Sequence, residues 1–169
     1  MSRAARRQAE AERFFEEAGP RLFRTALLVS GDWHLAEDLV QTALGRMFVS
    51  WSKVRRADSP QAYARTVLIR AYLSHVRLRR TGERPTGTLP DRARTGPDPA
   101  LRVALLDALG RLSPRDRAVV VLRYWEDRSV EQTAAELGMS AGNVRVRSVR
   151  ALDRLRAALE SERDVLVGE

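Results

Sequence analysis

Residues 81–99 read TGERPTGTLPDRARTGPDP, and this stretch constrains the fold more than any other. Four prolines and three glycines in nineteen positions, with no apolar periodicity, exclude a helix or strand running through it. It therefore reads as an extended linker between an N-terminal module of residues 1–80 and a C-terminal module that begins at Pro99. Each module is too small for a large core, so each must be built from a few well-packed helices.

The apolar spacing on both sides is helical. Phe14, Phe15, Ala18, Leu22, Ala26 and Val29 form one stripe, with Gly19-Pro20 predicting a break between two helices. After Ser30-Gly31-Asp32 a second stripe runs through Leu35, Leu39, Val40, Ala43, Leu44, Met47, Phe48 and Trp51. Ser59-Pro60 supplies a cap and a proline at the first helical position, and opens a helix through Tyr63, Val67, Leu68, Ala71, Tyr72 and Val76. Beyond the linker, Asp98-Pro99 opens a helix carrying Leu101, Leu105, Leu106, Leu109 and Leu112. Ser113-Pro114 opens the next, with Asp116 favouring its free N–H groups. Ser129-x-x-Gln132 has the capping-box form and starts a short helix to Leu137. Ser140 then caps a last helix running to about Leu159, which leaves residues 161–169 as a short tail. Nothing alternates with period two, so the expected class is all-α.

Charge is distributed unevenly. Residues 1–80 carry 15 basic and 8 acidic groups, whereas residues 98–169 carry 12 of each, so the excess sits in the first module. The total of +8 points to a polyanionic partner, of which nucleic acid is the commonest. Within the neutral second half, Arg145, Arg147, Arg150, Arg154 and Arg156 crowd one helix against the single acid Asp153. Cysteine is absent, which removes disulfides, thiol catalysis and thiolate-bound zinc. The two histidines, His34 and His75, are not spaced as metal ligands. The longest apolar runs are too short to span a bilayer, and the charged stretch Ala9 to Glu17 occupies the place where a signal peptide needs an apolar core. A cytoplasmic protein is expected.

Val130 to Ala151 follows helix-turn-helix grammar. Ala134 is small where two helices must cross, Gly138 can take the left-handed conformation of a tight turn, and Val144 points back to the core. Helical geometry then puts Ser148, Ala151 and Leu155 near the buried side, and Asn143, Arg145, Val146, Val149, Arg150 and Asp153 on the opposite face. Arginine can grip guanine in the major groove and valine can touch thymine methyls, while Ser140 and Asn143 at the helix start suit phosphate. In the first module Leu39 and Val40 face inward, whereas Asp38 and Gln41, three apart, lie on an exposed face suited to a protein partner.

These residues carry a resemblance. Ala36-Glu37-Asp38-Leu39-Val40-Gln41 with Leu44 and Phe48, and Ser59-Pro60-x-Ala62-Tyr63 with its trailing arginines, resemble region 2 of the extracytoplasmic-function group of sigma-70-type sigma factors, in its actinobacterial sigma-E-like form. Leu112-Ser113-Pro114-Arg115-Asp116-Arg117 through Arg150-Ala151 resembles their region 4. The resemblance spans roughly residues 20–160 in order and spacing. It implies that Asp38, Gln41 and Thr42 bind the β′ clamp helices of RNA polymerase, and that region 4 meets the β flap. It implies that Arg65, Arg70, Arg77 and Arg80 contact phosphates of the minus-ten element, and that Ser140, Asn143, Arg145, Val146, Arg147, Val149 and Arg150 engage the minus-thirty-five element. It implies a linker directed toward the polymerase active-site cleft and RNA exit path, no cofactor, and room for an anti-sigma partner.

The chain departs from that pattern in places. Arg70 stands where the family usually has asparagine, Tyr63 where tryptophan is common, Thr133 for an aliphatic residue, and Ser148 for leucine or isoleucine. The linker is not acidic, and the wider family's region 1.1 and full region 3 domain are missing. Two rival readings are a stand-alone helix-turn-helix regulator, which would need dimerisation and a palindromic site, and an enzyme acting on nucleic acid. The scattered acids offer no carboxylate cluster for a metal, which argues against the enzyme.

Overall fold

A computed structural model describes residues 2–80 and 99–167, and all elements among them are helical. The first module contains α1 (Arg3–Ser30), α2 (Trp33–Val49), the single turn α3 (Trp51–Val54) and α4 (Pro60–Arg79). The second contains α5 (Pro99–Gly110), α6 (Pro114–Val120), a π-helical turn (Val121–Trp125), α7 (Val130–Leu137) and α8 (Ala141–Val167). The linker expected from the sequence lies, but for Pro99, outside the described residues.

Local chemistry sets the boundaries. Ser59, Ser113 and Ser140 each accept from the backbone N–H three residues on, at 3.1, 3.2 and 3.1 Å. The Ser129–Gln132 capping box closes in both directions at 3.0 Å. Gly31 and Gly138 end α1 and α7 at φ of 67° and 63°, the left-handed conformation where a side chain is strained. Asp32 caps α2 directly after Gly31.

Two boundaries differ from expectation. Gly19-Pro20 does not break the first helix: α1 runs through Pro20. The buried stripe Ala11, Ala18, Leu22, Ala26 and Val29 is continuous across it, and packing outweighs the one lost hydrogen bond. That bond would have ended on Glu16, an exposed residue whose carbonyl can turn to water. At the other end, α8 continues to Val167 rather than stopping near Leu159, so the expected tail is largely helical.

The core of the first module is formed by Leu22, Ala26 and Val29 of α1, Leu39, Ala43 and Met47 of α2, Trp51, Val54, and Leu68, Ile69 and Tyr72 of α4. Phe14, Phe15 and Trp51 stack at its edge with centroids 5.4 to 6.1 Å apart. The second module has two smaller clusters, one around Leu109, Leu112, Val120 and Ala151, the other around Val119, Ala134 and Val144.

The modules do not stand apart. Ala118, Val121 and Leu122 of the second are buried in the core of the first, and Leu28 of α1 packs on the Leu109–Leu112 cluster. Arg117 pins the same seam, donating to Val29 O at 2.8 Å and Gly110 O at 3.1 Å. Tyr72 is buried close by; burial pushes its hydroxyl pKa up from 10.0, with the Arg117 charge opposing.

Candidate nucleic-acid interface

In the second module, α7 and α8 form the helix-turn-helix. Ala134 and Val144 are buried against Val119 of α6, so the two helices share a dry crossing. Gly138 turns the chain between them, and Met139 N–H closes the turn on Ala134 O at 2.9 Å. Ser148 and Ala151 lie on the buried side, and Ser148 Oγ donates to Val144 O at 2.7 Å. This local bond satisfies the hydroxyl that stands in place of an aliphatic side chain. Thr133 is wholly buried too, but its Oγ1 finds no hydrogen-bond partner among the described residues.

The outward face of α8 presents Asn143, Arg145, Val146, Val149 and Arg150, all exposed. Val149 is 62% and Val146 49% accessible, so the face sets two aliphatic side chains among its arginines. Arg145 reaches Glu131 at 3.2 Å, but both side chains are open to solvent and the pair is easily exchanged. Arg147 differs. It lies half-buried, binds Asp116 at 2.6 Å, and its Nε donates to Asn143 Oδ1 at 3.1 Å, so it ties α8 to α6.

In the first module, Asp38, Gln41 and Thr42 are exposed on α2. Glu37 turns aside to accept from Trp33 Nε1 at 3.1 Å. Continuing the same helical stripe, Gly45, Phe48 and Val49 are also exposed, Phe48 by 51% and Val49 by 88%. Phe48 continues the apolar stripe of α2 without being buried with it. A seven-residue step from Gln41 and Thr42 was the signal that it shares their face.

The four arginines expected at the minus-ten element, Arg65, Arg70 and Arg77 on α4 and Arg80 at its C-terminal cap, do not act together. Arg70, Arg77 and Arg80 line a cleft of about 700 Å³ with Arg115 and Arg147 of the second module, over an apolar wall of Leu73, Val76 and Pro114. Five guanidinium groups around one cleft favour a polyanion. Arg65 points the other way. It is 7% exposed, binds Glu136 through Nε at 3.2 Å and a terminal nitrogen at 2.9 Å, and lies 3.5 Å from Glu126. Thr25 donates to Glu126, Arg21 approaches it at 3.1 Å, and Arg128 binds Glu136 at 3.0 Å. Sequence reasoning missed this network because its partners lie 61 and 71 positions from Arg65.

Comparison with known proteins settles the family. Residues 14–81 match Sigma-70 region 2, and residues 108–157 match Sigma-70, region 4. An RNA polymerase sigma-E factor of Streptomyces avermitilis is 42% identical over 154 residues, 90% of this chain and 86% of that one.

The chain belongs to the sigma-70 family of RNA polymerase sigma factors.

Its kinship extends to the extracytoplasmic-function sigma factor SigL of Mycobacterium tuberculosis, 29% identical over 93% of each chain. Among solved structures it resembles the sigma factor RpoE of Bartonella quintana, solved in complex with the anti-sigma factor NepR. The TM-score there is 0.74 at 25% identity, covering 88% of this chain and 96% of that one. As a member of the extracytoplasmic-function group, this sigma factor directs promoter-specific initiation together with core RNA polymerase. Recognition of minus-ten and minus-thirty-five elements is standard in the family, and the family is not enzymatic. No described helix is long and apolar enough to cross a membrane.

Proposed function

We propose that this sigma factor divides its work among three faces. The α2 stripe of Asp38, Gln41 and Thr42, extended by Phe48 and Val49, docks on the β′ clamp helices of the polymerase. Gly45 in the middle of the stripe leaves open space that lets a partner backbone approach. Arg70, Arg77 and Arg80 hold minus-ten phosphates, with Arg65 joining them once its acidic partners are withdrawn. On α8, Arg145, Val146, Val149 and Arg150 read the minus-thirty-five element, Ser140 and Asn143 sit at the helix start near phosphate, and Arg147 acts by fixing the helix on Asp116.

The observation that carries this reading is the α8 face: two exposed valines interleaved with arginines, on the second helix of a helix-turn-helix capped at both helix starts. Residues 1–80 then form the polymerase and minus-ten module, 99–160 the minus-thirty-five module, and 81–98 the connection. The likeness to a sigma factor crystallised with an anti-sigma factor supports a similar regulatory partner here. The protein acts in the cytoplasm, at the nucleoid when polymerase-bound, without catalysing a covalent step.

Run-off transcription with core polymerase on a pool of GC-rich genomic fragments tests this. Discrete transcripts appear only when the protein is added and disappear for Asp38→Ala/Gln41→Ala. If the protein alone protects specific DNA while no polymerase-dependent product forms, it is instead a stand-alone regulator.

A further inference from the structure

The match to Sigma-70 region 2 begins at residue 14, whereas α1 begins at Arg3, so about three turns of this helix precede the family pattern. These turns are built into the fold. Ala11 is buried in the core of the first module, and Glu10 pairs with Arg55 at the end of α3 at 3.4 Å. On their open side Arg3, Arg6, Arg7 and Arg13 are exposed, and their three- and four-residue steps put them on one edge of the helix.

Three depressions that share walls run from this edge around α3. One of about 340 Å³ lies between Arg3, Arg6 and Arg7 of α1 and Arg55 and Arg56. It shares Arg6 and Arg55 with a second, of about 460 Å³, that reaches Arg13, Trp51 and Pro60. It shares Arg56 with a third, of about 570 Å³, bounded by Lys53 and Tyr63. Seven cations line the track against two acids, Glu10 and Glu17. Among the described residues only Arg55 of the seven makes an ion pair, and its side chain and that of Glu10 are 39% and 45% exposed. Like charges gathered without counter-charges repel one another, and a polyanion relieves that repulsion.

Shape and place select the polyanion. An open track suits a chain of phosphates better than a single anion. It adjoins Pro60 and Tyr63 in the first turn of α4, whose far end carries Arg77 and the Arg80 cap. Pro60 and Arg77 lie about 26 Å apart along one helix, a span of about eight nucleotides at duplex spacing. We propose that the Arg3–Arg13 edge of α1, with Arg55 and Arg56, is a second phosphate-binding surface. It holds the promoter strand that flanks the minus-ten element, on the side away from Arg77 and Arg80. This rests on the assignment of α4 to the minus-ten element. The surface reads no base; it adds salt-sensitive contacts that position the strand. Glu10 yields Arg55 to phosphate at little cost, because their pair is open to solvent.

The test uses holoenzyme assembled from the full chain and core polymerase, on a promoter that run-off transcription identifies. Arg3→Ala/Arg6→Ala/Arg7→Ala removes three exposed cations and keeps good helix formers, and circular dichroism confirms the fold. A plot of log affinity against log salt should flatten by about 2–3 in slope, since each phosphate contact contributes about 0.7–0.9. The loss should be the same for promoters that differ in flanking sequence. It should disappear on a fragment cut back to the minus-ten element on one side and persist when the other side is cut. A folded variant with the parent's slope overturns the proposal. So does a flattened slope that persists whichever side is cut, and so does a defect confined to association with core polymerase. Failure of the unsubstituted protein to support any transcript is a different result, and strikes the sigma-factor reading itself.

Discussion

The two helices proposed to face DNA are prepared to different degrees. The outer face of α8 is complete: its cap, its buried seam and its exposed arginines and valines are held by contacts within the second module alone. The face of α4 is divided, with Arg70, Arg77 and Arg80 open to a cleft and Arg65 spent on acids of the other module. A face built within one module can be read from that module's sequence. A face that borrows its partners from another module cannot.

Substitution of Arg65 should separate the two cases most strongly. Arg65→Ala leaves Glu126 and Glu136 buried without their shared cation, at a cost of about 3–5 kcal/mol, or about 10 °C in Tm. Arg70→Ala, on the same helix but exposed, should leave the melting temperature nearly unchanged while weakening promoter complexes. Equal melting temperatures for the two variants would erase the distinction drawn within α4.

A smaller contrast lies within α8. Arg147→Ala should cost about 2 kcal/mol of stability through loss of the Asp116 bond, whereas Arg150→Ala should melt within about 0.5 kcal/mol of the parent. The Arg150 variant should instead lose about tenfold in binding to minus-thirty-five DNA within the holoenzyme. If Arg147→Ala melts normally and only DNA binding suffers, Arg147 is a contact residue like its neighbours.

The smallest effect concerns the dry crossing beneath α7. Thr133→Val exchanges a buried hydroxyl without a described partner for a methyl group and should raise stability by about 1 kcal/mol, or about 3 °C in Tm. Promoter selection should not change, because Thr133 touches neither face. A loss of stability would show that the hydroxyl has a partner.

What was legible in the sequence was local. Ser59, Ser113, Ser129 and Ser140 marked helix starts because a cap needs only the next three residues, and Gly138 marked the turn because few residues tolerate its backbone angle. Val144 pointed inward because six residues after Gly138 the helix has a fixed phase. The misses were of another kind. Pro20 is a breaker by propensity, and only the packed stripe from Ala11 to Val29 overrides it. Phe48 looked like core because its phase fits an apolar stripe, whereas the helices around α2 cover only part of that stripe. The fate of Arg65 depended on Glu126 and Glu136, and no spacing rule connects positions so far apart.

The π-helical turn after α6 makes that distant pairing a matter of phase. Glu126 N–H reaches Val121 O at 3.0 Å, five residues back, so the turn carries more chain than an α-helix of the same pitch. Deleting one residue between Val121 and Trp125 would restore ordinary winding with little change of phase, because the wide turn takes in one residue more than an α-turn for nearly the same rotation. Deleting one residue within the regular winding of α6 would instead rotate everything downstream by about 100°, and Glu126 and Glu136 would swing away from Arg65. In descent with modification, the wide turn marks a place where one codon can be gained or lost without resetting how two otherwise intact modules meet.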